Sequence, residues 1–486
     1  MTFLILLLIA GVYDETPITR NLDPDFVPGT YAEYRSGQPE FTELVVTPVT
    51  GEIRGTEFLV VMEENMSDSL DSALLDQWLA DIQSEGNSSA LVEITYANPI
   101  QIRAWLLSLY DDGLEGVVFV GDIPVPWSCT VDNKAKSNET FPSDYFYMDL
   151  DGTWEDNWIG YPGIGTAGQD SIYDGWSGEL FPEIYAGRIT TSVLILGNEY
   201  DLIDDYLSRL HEWRLAGDPE PRALCYVDDD WAGWGNSYRS AMENLYDDVE
   251  LVNLPHSATN GTDYRLNRLQ EGYTWISPFV HSGPTSHSWS PGPSTTAGHI
   301  WTDNPPSRFF NLFACSNARF TSNWCMGCAY VFGTDYGLAA VGSTKSGAML
   351  QFAQFYTPLG EGENFGSGYK AWWTHIISGG FSQSEQYWHL GMVVIGDPTI
   401  MPAMHMLGIE DYTPPASPPS IHFSANPAMG AVTIVSQGVF TVHDMAGREV
   451  ASGHHSMTIT DLQTGVYLVR AENNGVAVVE KLCVIR

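Results

Sequence analysis

The sequence predicts an α/β protein: two successive α/β halves with parallel sheets, followed by a small all-β, immunoglobulin-like sandwich. Three observations predict it. From about residue 55 to 215, buried-type strands alternate with amphipathic helices, the rhythm of strand–helix–strand units and therefore of parallel pairing. That rhythm restarts near residue 220 and runs to 405. After Tyr412–Ser420, which holds four prolines in nine residues, the pattern changes to short alternating strands parted by Gly, Asn and Asp turns.

In the first half, Glu57–Glu64 (EFLVVMEE) is an apolar strand. Leu70, Leu74, Leu75, Trp78 and Leu79 then form one helical stripe. Ala90–Ala97 is a strand, Pro99–Gly113 a helix, and Leu114–Trp127 (LEGVVFVGDIPVPW) a strand ending in a Gly-Asp turn. In the second half, Arg222–Trp231 (RALCYVDDDW) is a strand ending in three aspartates. Helical spacing follows over 233–248 and again over 262–272. Thr274–Val280, Arg308–Ala314 and Gly337–Ser343 are three further buried-type strands.

The chain thus divides into a short apolar N-terminal segment (1–12), a leader or pro-segment without clear periodicity (13–54), an N-terminal α/β subdomain (55–215), a second α/β subdomain (220–405), a stiff Pro-rich linker (406–420) and a β-sandwich (421–486). Phe3–Val12 is too short to span a bilayer and suits the core of a signal peptide, although no Lys or Arg precedes it. No later run of about 18 apolar residues predicts a membrane span. Export is therefore expected, to the medium or to a cell surface.

The 486 residues carry 61 acidic and 21 basic side chains, a net charge of −40. Such a surface repels phosphate backbones and anionic lipid, which argues against nucleic-acid and membrane-surface partners. It attracts cations, Ca²⁺ and basic peptides among them. Six cysteines in a chain of this length make no disulfide framework.

The chemistry concentrates at two strand ends. Trp275–Val280 is an apolar run that stops at His281, beside Ser282 and Gly283. Thirty-four residues after His281, the run RFFNLFA stops at Cys315. If the two strands are neighbours in one parallel sheet, both side chains emerge at the same carboxyl edge, where open α/β sheets bind ligands. A thiol beside an imidazole is a nucleophile with its acid/base, and a helix starting near Ser316–Asn317 would lower the thiol pKa further. His287 is the rival histidine; it follows no apolar run and is expected in a loop.

These elements resemble the gingipain family, caspase-like cysteine peptidases of family C25. His-Ser-Gly at 281–283 and Phe-Ala-Cys at 313–315 resemble its histidine–cysteine dyad. GVVFVGDIPVPW, SDYFYMDLDGTWEDN, PEIYAGRI, GLAAVGSTKSG, FGSGYKAWW and GMVVIGDPTIMP resemble further segments of the family. The resemblance implies a caspase-like fold, protein or peptide substrates, and peptide-bond hydrolysis through a thioester acyl-enzyme with no cofactor. It implies Cys315 as nucleophile, His281 as general acid, and backbone N–H groups of Cys315 and Gly283 as the oxyanion hole. The family usually has Gly directly after the histidine, where this chain has Ser282. The tail resembles the C-terminal sorting domain of the type IX secretion system, through Asn426-Pro427, Asp444–Arg448 and Leu462–Tyr467, and implies the export machinery as a partner.

Asp144, Asp149, Asp151 and Asp156, with Glu155 and Gly152, crowd one short acidic segment. Alternating carboxylates suit an oxygen-ligated structural Ca²⁺, which the family also implies, or else form a solvated loop. Asp228, Asp229 and Asp230 could line the primary specificity pocket, orient His281, or form a solvated turn. Gly163–Gly168 fits a dinucleotide pattern letter by letter but lacks the flanking strand and helix, and is read as a loop. Cys325 and Cys328 have zinc-ligand spacing without a second pair and are read as core residues of a helix. Gly342–Gly347 lacks the Gly-Lys pair of a phosphate loop. Sixteen tryptophans and many carboxylates keep a glycan-binding or glycan-cleaving protein open, as well as a non-catalytic adhesin on the same scaffold.

Overall fold

The computed structural model describes residues 29–132, 137–157, 168, 170–255, 258–289 and 292–403, and, toward the C-terminus, 421–423, 428–429, 431–444, 448–460, 462–473 and 476–485. The apolar N-terminal segment, the Pro-rich linker and Gly163–Ala167 lie outside the described residues. The chain forms two units, 1–408 and 409–486.

The larger unit is organised on one eleven-stranded sheet. In chain order its strands are β1 (Val46–Thr50), β2 (Phe58–Glu63), β3 (Ser89–Ile94), β4 (Gly116–Val120), β5 (Tyr185–Ile189), β6 (Arg222–Val227), β7 (Asp248–Val252), β8 (Trp275–Phe279), β9 (Phe309–Asn311), β10 (Ala339–Ser343) and β11 (Met392–Gly396). Their spatial order is β1-β3-β2-β4-β5-β11-β10-β9-β8-β6-β7. Strands β3, β2, β4, β5 and β11 run parallel to one another. So do β10, β9, β8, β6 and β7. The two sets meet at the antiparallel β10–β11 pair, Ala339 opposite Gly396 through Ser343 opposite Met392.

The two expected parallel halves are therefore joined in one sheet, with the direction reversing where they meet. The agent is β11, a late strand that inserts between the halves. All five of its residues are buried, so its backbone needs partners on both edges and its side chains need cover on both faces.

The sheet starts earlier than the 55 boundary. β1 lies within the stretch read as a leader and pairs antiparallel with β3 at the edge. Its residues are mostly exposed and it carries Pro48, which an edge strand tolerates; with both faces wet it shows no apolar alternation. Before it, Tyr31–Ser36 is a helical turn closed by a capping box between Thr30 and Glu33. Its Tyr31 and Tyr34 rings lie 5.7 and 5.6 Å from that of Trp127.

Helices Ser72–Ser84, Pro99–Tyr110 and Glu199–Ala216 begin with side-chain caps from Asp71, Asn98 and Asn198. Phe58–Met62, Val117–Val120, Ala223–Val227 and Ala339–Val341 are sealed from solvent, the signature of a sheet covered on both faces. One close approach is built from glycine. A Cβ at Gly116 would lie 2.1 Å, and one at Gly366 2.3 Å, from atoms of the Tyr185 ring. The expected helix over 262–272 is shorter, Gly261–Leu266 followed by a 3₁₀ turn at Arg268–Gln270. Among the described residues no helix is long and apolar enough to cross a membrane. None of the six cysteines is in a disulfide.

The smaller unit contains Ile421–Phe423, Ala428–Met429, Val432–Asp444, Glu449–Ile459, Gly465–Asn473 and Val476–Ile485 as strands. They pair as one hydrogen-bonded network, in place of two separate sheets. Val432, Ile434, Phe440, Val442, Val469, Ala471, Leu482 and Val484 form its own core. Arg448 donates to the Asp444 carboxylate at 2.8 Å, and the Tyr467 hydroxyl donates to the Gln463 carbonyl at 2.9 Å.

Candidate active site

The strand neighbours of β8 are β6 on one side and β9 on the other. β8 and β9 are parallel, with Trp275 opposite Phe309 and Ile276 opposite Phe310. A further bridge sets Phe279 opposite Phe313, and the Val280 N–H donates to the Phe313 carbonyl at 3.3 Å. The pairing offset is 34 residues throughout, the same 34 that separate His281 from Cys315. His281 and Cys315 each follow two residues beyond that last bridge. His281 is 5 % exposed and Cys315 is fully buried.

Cys315 sits at a tight bend. Ser316 is in the left-handed region, φ 55°, and its N–H donates to the Lys345 carbonyl at 2.8 Å. No helix begins there: the next one is Met326–Phe332. The expected helix N-terminus behind the thiol is thus corrected, because the chain first crosses back under β10, with the Ala318 N–H bonded to the Ser343 carbonyl.

On the other side of the imidazole, β6 delivers the three aspartates. His281 Nε2 lies 2.8 Å from Asp230 Oδ2. The Trp231 ring packs on the imidazole at 4.4 Å between centroids. Asp228 is buried; one carboxylate oxygen caps the turn by accepting from the Asp229 N–H at 2.9 Å, and burial pushes its acid up to about 7. Of the three, Asp230 meets the imidazole. A carboxylate on Nε2 fixes the proton there and places the basic lone pair on Nδ1.

The rival histidine is placed otherwise than expected. His287 lies in a strand, Ser286–Ser288, paired antiparallel with His281–Gly283. It is fully buried, and burial pulls its imidazole down to about 3. It is a neutral packing group. Gly283 stands in the same hairpin, opposite Ser286.

The first half supplies a wall beside this edge. The hairpin Trp127–Asp132/Ser137–Pro142 accepts the Thr344 hydroxyl at the Pro142 carbonyl, and Glu139 accepts the Ser346 N–H at 2.9 Å. Lys345 is buried there, hydrogen-bonded to the Ser346 and Tyr387 carbonyls and 3.6 Å from Glu139. Arg319, four residues past Cys315, reaches back to the Gly29 carbonyl at 2.7 Å.

The acidic segment divides. Asp149, Asp151 and Glu183 bring one carboxylate oxygen each within 4.8 Å of one another. Burial pushes Asp149 up to about 6 and Glu183 up to about 7. Asp144 does not join them; it holds Arg188 in a buried two-pronged pair at 2.8 and 2.7 Å. Asp156 accepts the backbone N–H groups of Asp170 and Ser171. Both are corrections: an arginine delivered by β5 and a loop backbone satisfy these carboxylates first. Glu183 was legible only as the acid preceding the Gly-Arg element. Cys325 and Cys328 are core residues, as expected.

Comparison with known proteins follows this geometry. The profile of peptidase family C25 matches residues 55–403. No curated protein matches the chain. A solved chain titled "Structure of Protease" aligns with 88 % of this chain and 97 % of its own, at 14 % identity and a TM-score of 0.48. Dimeric latent PorU from Porphyromonas gingivalis aligns with 89 % of this chain and 43 % of its own, at 9 % identity and a TM-score of 0.31. Neither likeness, at such scores, bears on the chemistry. The family match covers nearly all of the larger unit, and its mixed α/β, mostly parallel sheet fits a caspase-like peptidase fold: the chain belongs to peptidase family C25, the cysteine-type peptidases.

Proposed function

We propose that this protein is an exported endopeptidase that cleaves peptide bonds through Cys315 and His281. The observation that supports it most is the shared 34-residue offset, by which His281 and Cys315 follow neighbouring parallel strands at the same edge of the sheet. The Cys315 proton passes to His281 Nδ1, and the thiolate attacks the scissile carbonyl carbon. The tetrahedral oxyanion is held by the backbone N–H groups of Cys315 and Gly283. His281 returns the proton to the leaving amine and a thioester remains. Water, deprotonated by the same imidazole, then releases the acid. Asp230 accepts from Nε2–H throughout, as a positioning residue. Trp231 covers one face of the ring.

The smaller unit serves as the address read by type IX export machinery. Asp149, Asp151 and Glu183 would hold a structural Ca²⁺: the donor set is all oxygen, as a hard cation requires, and the ion would supply the counter-charge that burial makes favourable at Asp149 and Glu183. Terbium luminescence and a melting temperature that falls in EGTA test that site.

The experiment for the activity is a fluorogenic peptide library with wild type, Cys315→Ala and His281→Ala, with and without Ca²⁺. Cleavage by wild type alone supports the reading. Cleavage that survives Cys315→Ala refutes it, and ligand binding without turnover in the wild type replaces it with a non-catalytic scaffold.

A further inference from the structure

Behind the segment that follows His281 runs a chain of four fully buried polar side chains, Ser282, His287, Tyr330 and Tyr264. Ser282 Oγ donates to the Ser286 carbonyl at 3.0 Å. Its single proton is thereby used, so at 2.7 Å it accepts from His287 Nδ1–H. The neutral ring then presents a lone pair at Nε2, which accepts the Tyr330 hydroxyl at 3.2 Å. Tyr330 in turn accepts from Tyr264, oxygen to oxygen 2.8 Å. Every proton in the series has one place.

The series joins three elements. Tyr264 is on the helix Gly261–Leu266, Tyr330 on the helix Met326–Phe332 that follows the Cys315 bend, and His287 and Ser282 on facing strands of the hairpin that starts at His281. A second tie runs beside it: the Met326 N–H, first in its helix, donates to the Pro284 carbonyl at 2.7 Å. The hairpin is thus fastened at its turn and at its far strand to the helix on the nucleophile side.

We propose that the Ser282–His287–Tyr330–Tyr264 series is a positioning network that fixes the His281–Gly283 segment, and with it the Gly283 N–H, against the Cys315 side of the site. It rests on the endopeptidase reading. Ser282, where the family usually has Gly, then contributes the oxygen that receives His287.

Tyr330→Phe and Ser282→Ala test it, each checked for a cooperative melting transition, and Tyr330 is fully buried. Three readouts separate the roles: kcat and KM on a cleaved peptide, the inhibition constant of a peptide aldehyde, whose adduct carries an oxyanion, and the rate of Cys315 alkylation by iodoacetamide, which needs none. The network predicts a kcat lower by about 10-fold and aldehyde binding weaker by a similar factor, with KM and alkylation within about 2-fold of wild type. Wild-type kcat and aldehyde affinity in both variants overturn it, as does alkylation that slows in parallel, which marks a general loosening. A wild type that cleaves no peptide withdraws the endopeptidase reading instead, and this inference with it.

Discussion

His389 makes the most direct test of the electrostatics of this fold. It is fully buried, packs edge-on against Trp372 at 5.1 Å, and donates from Nδ1 to the Ala348 carbonyl at 3.2 Å. Among the described residues its Nε2 has no hydrogen-bond partner. Burial is the largest cause that lowers its pKa from 6.5 to about 3; the Ala348 carbonyl opposes it and the nearby Lys345 ammonium adds to it. The unfolded chain therefore binds a proton below 6.5 that the folded chain refuses until about 3. Stability from this group is present above 6.5 and is lost as pH falls toward 3. Between pH 8 and pH 5 the loss works out at about 2 kcal/mol. At the entropy expected for a domain of this size, that is about 3 °C in melting temperature. The perturbation is His389→Asn, whose amide keeps the donor to Ala348 and cannot titrate. Melting curves of both proteins at pH 8 and pH 5 give a difference of differences in which the other titrating groups cancel. The variant loses about 3 °C less than wild type on acidification. Equal losses refute the reasoning.

The remaining predictions concern the site and the packing. Asp230→Asn lowers kcat by about 100-fold with KM little changed, because Nε2–H loses its charged acceptor; steady-state kinetics check it, and half of the wild-type kcat would contradict it. Arg188→Met alone costs about 3–5 kcal/mol by stranding Asp144 in the core, whereas Arg188→Met with Asp144→Leu recovers most of it, as urea unfolding will show. Asp144→Asn leaves terbium binding at Asp149, Asp151 and Glu183 intact; a lost luminescence signal would return Asp144 to that cluster. Gly366→Ala drives a methyl into the Tyr185 ring and costs about 1–3 kcal/mol, relieved by Tyr185→Leu in the double variant.

Much of this was legible from local pattern, and what was missed was long-range. The runs into His281 and Cys315 announce buried strands because neither face of β8 or β9 meets water, and the equal spacing of the two strand ends anticipates their register. Asp230 lies 51 residues before its imidazole, and only the adjacency of β6 and β8 brings them together. His287 reads as a loop residue because no apolar run precedes it and a three-residue strand carries no periodicity; in the structure it is buried against Tyr264 and Tyr330, on two separate helices. Asp144 reads as one acid among several until β5 delivers Arg188 beneath it. The single sheet was hidden for a similar reason: β5 and β11 pair across some two hundred residues, and nothing in either strand names the other. β1 escaped notice because a wet edge strand has no apolar face to read.

Because strand direction flips at β10–β11, successive crossovers in the two halves open toward opposite poles of the sheet. In the turn after β5 the Val193 carbonyl accepts the Trp324 N–H, while Ile195 and Leu196, just beyond, are 61 % and 69 % exposed. Ile195 and Leu196 lie outside every strand and helix, so a reporter or an affinity handle can be grafted between them without interrupting the sheet.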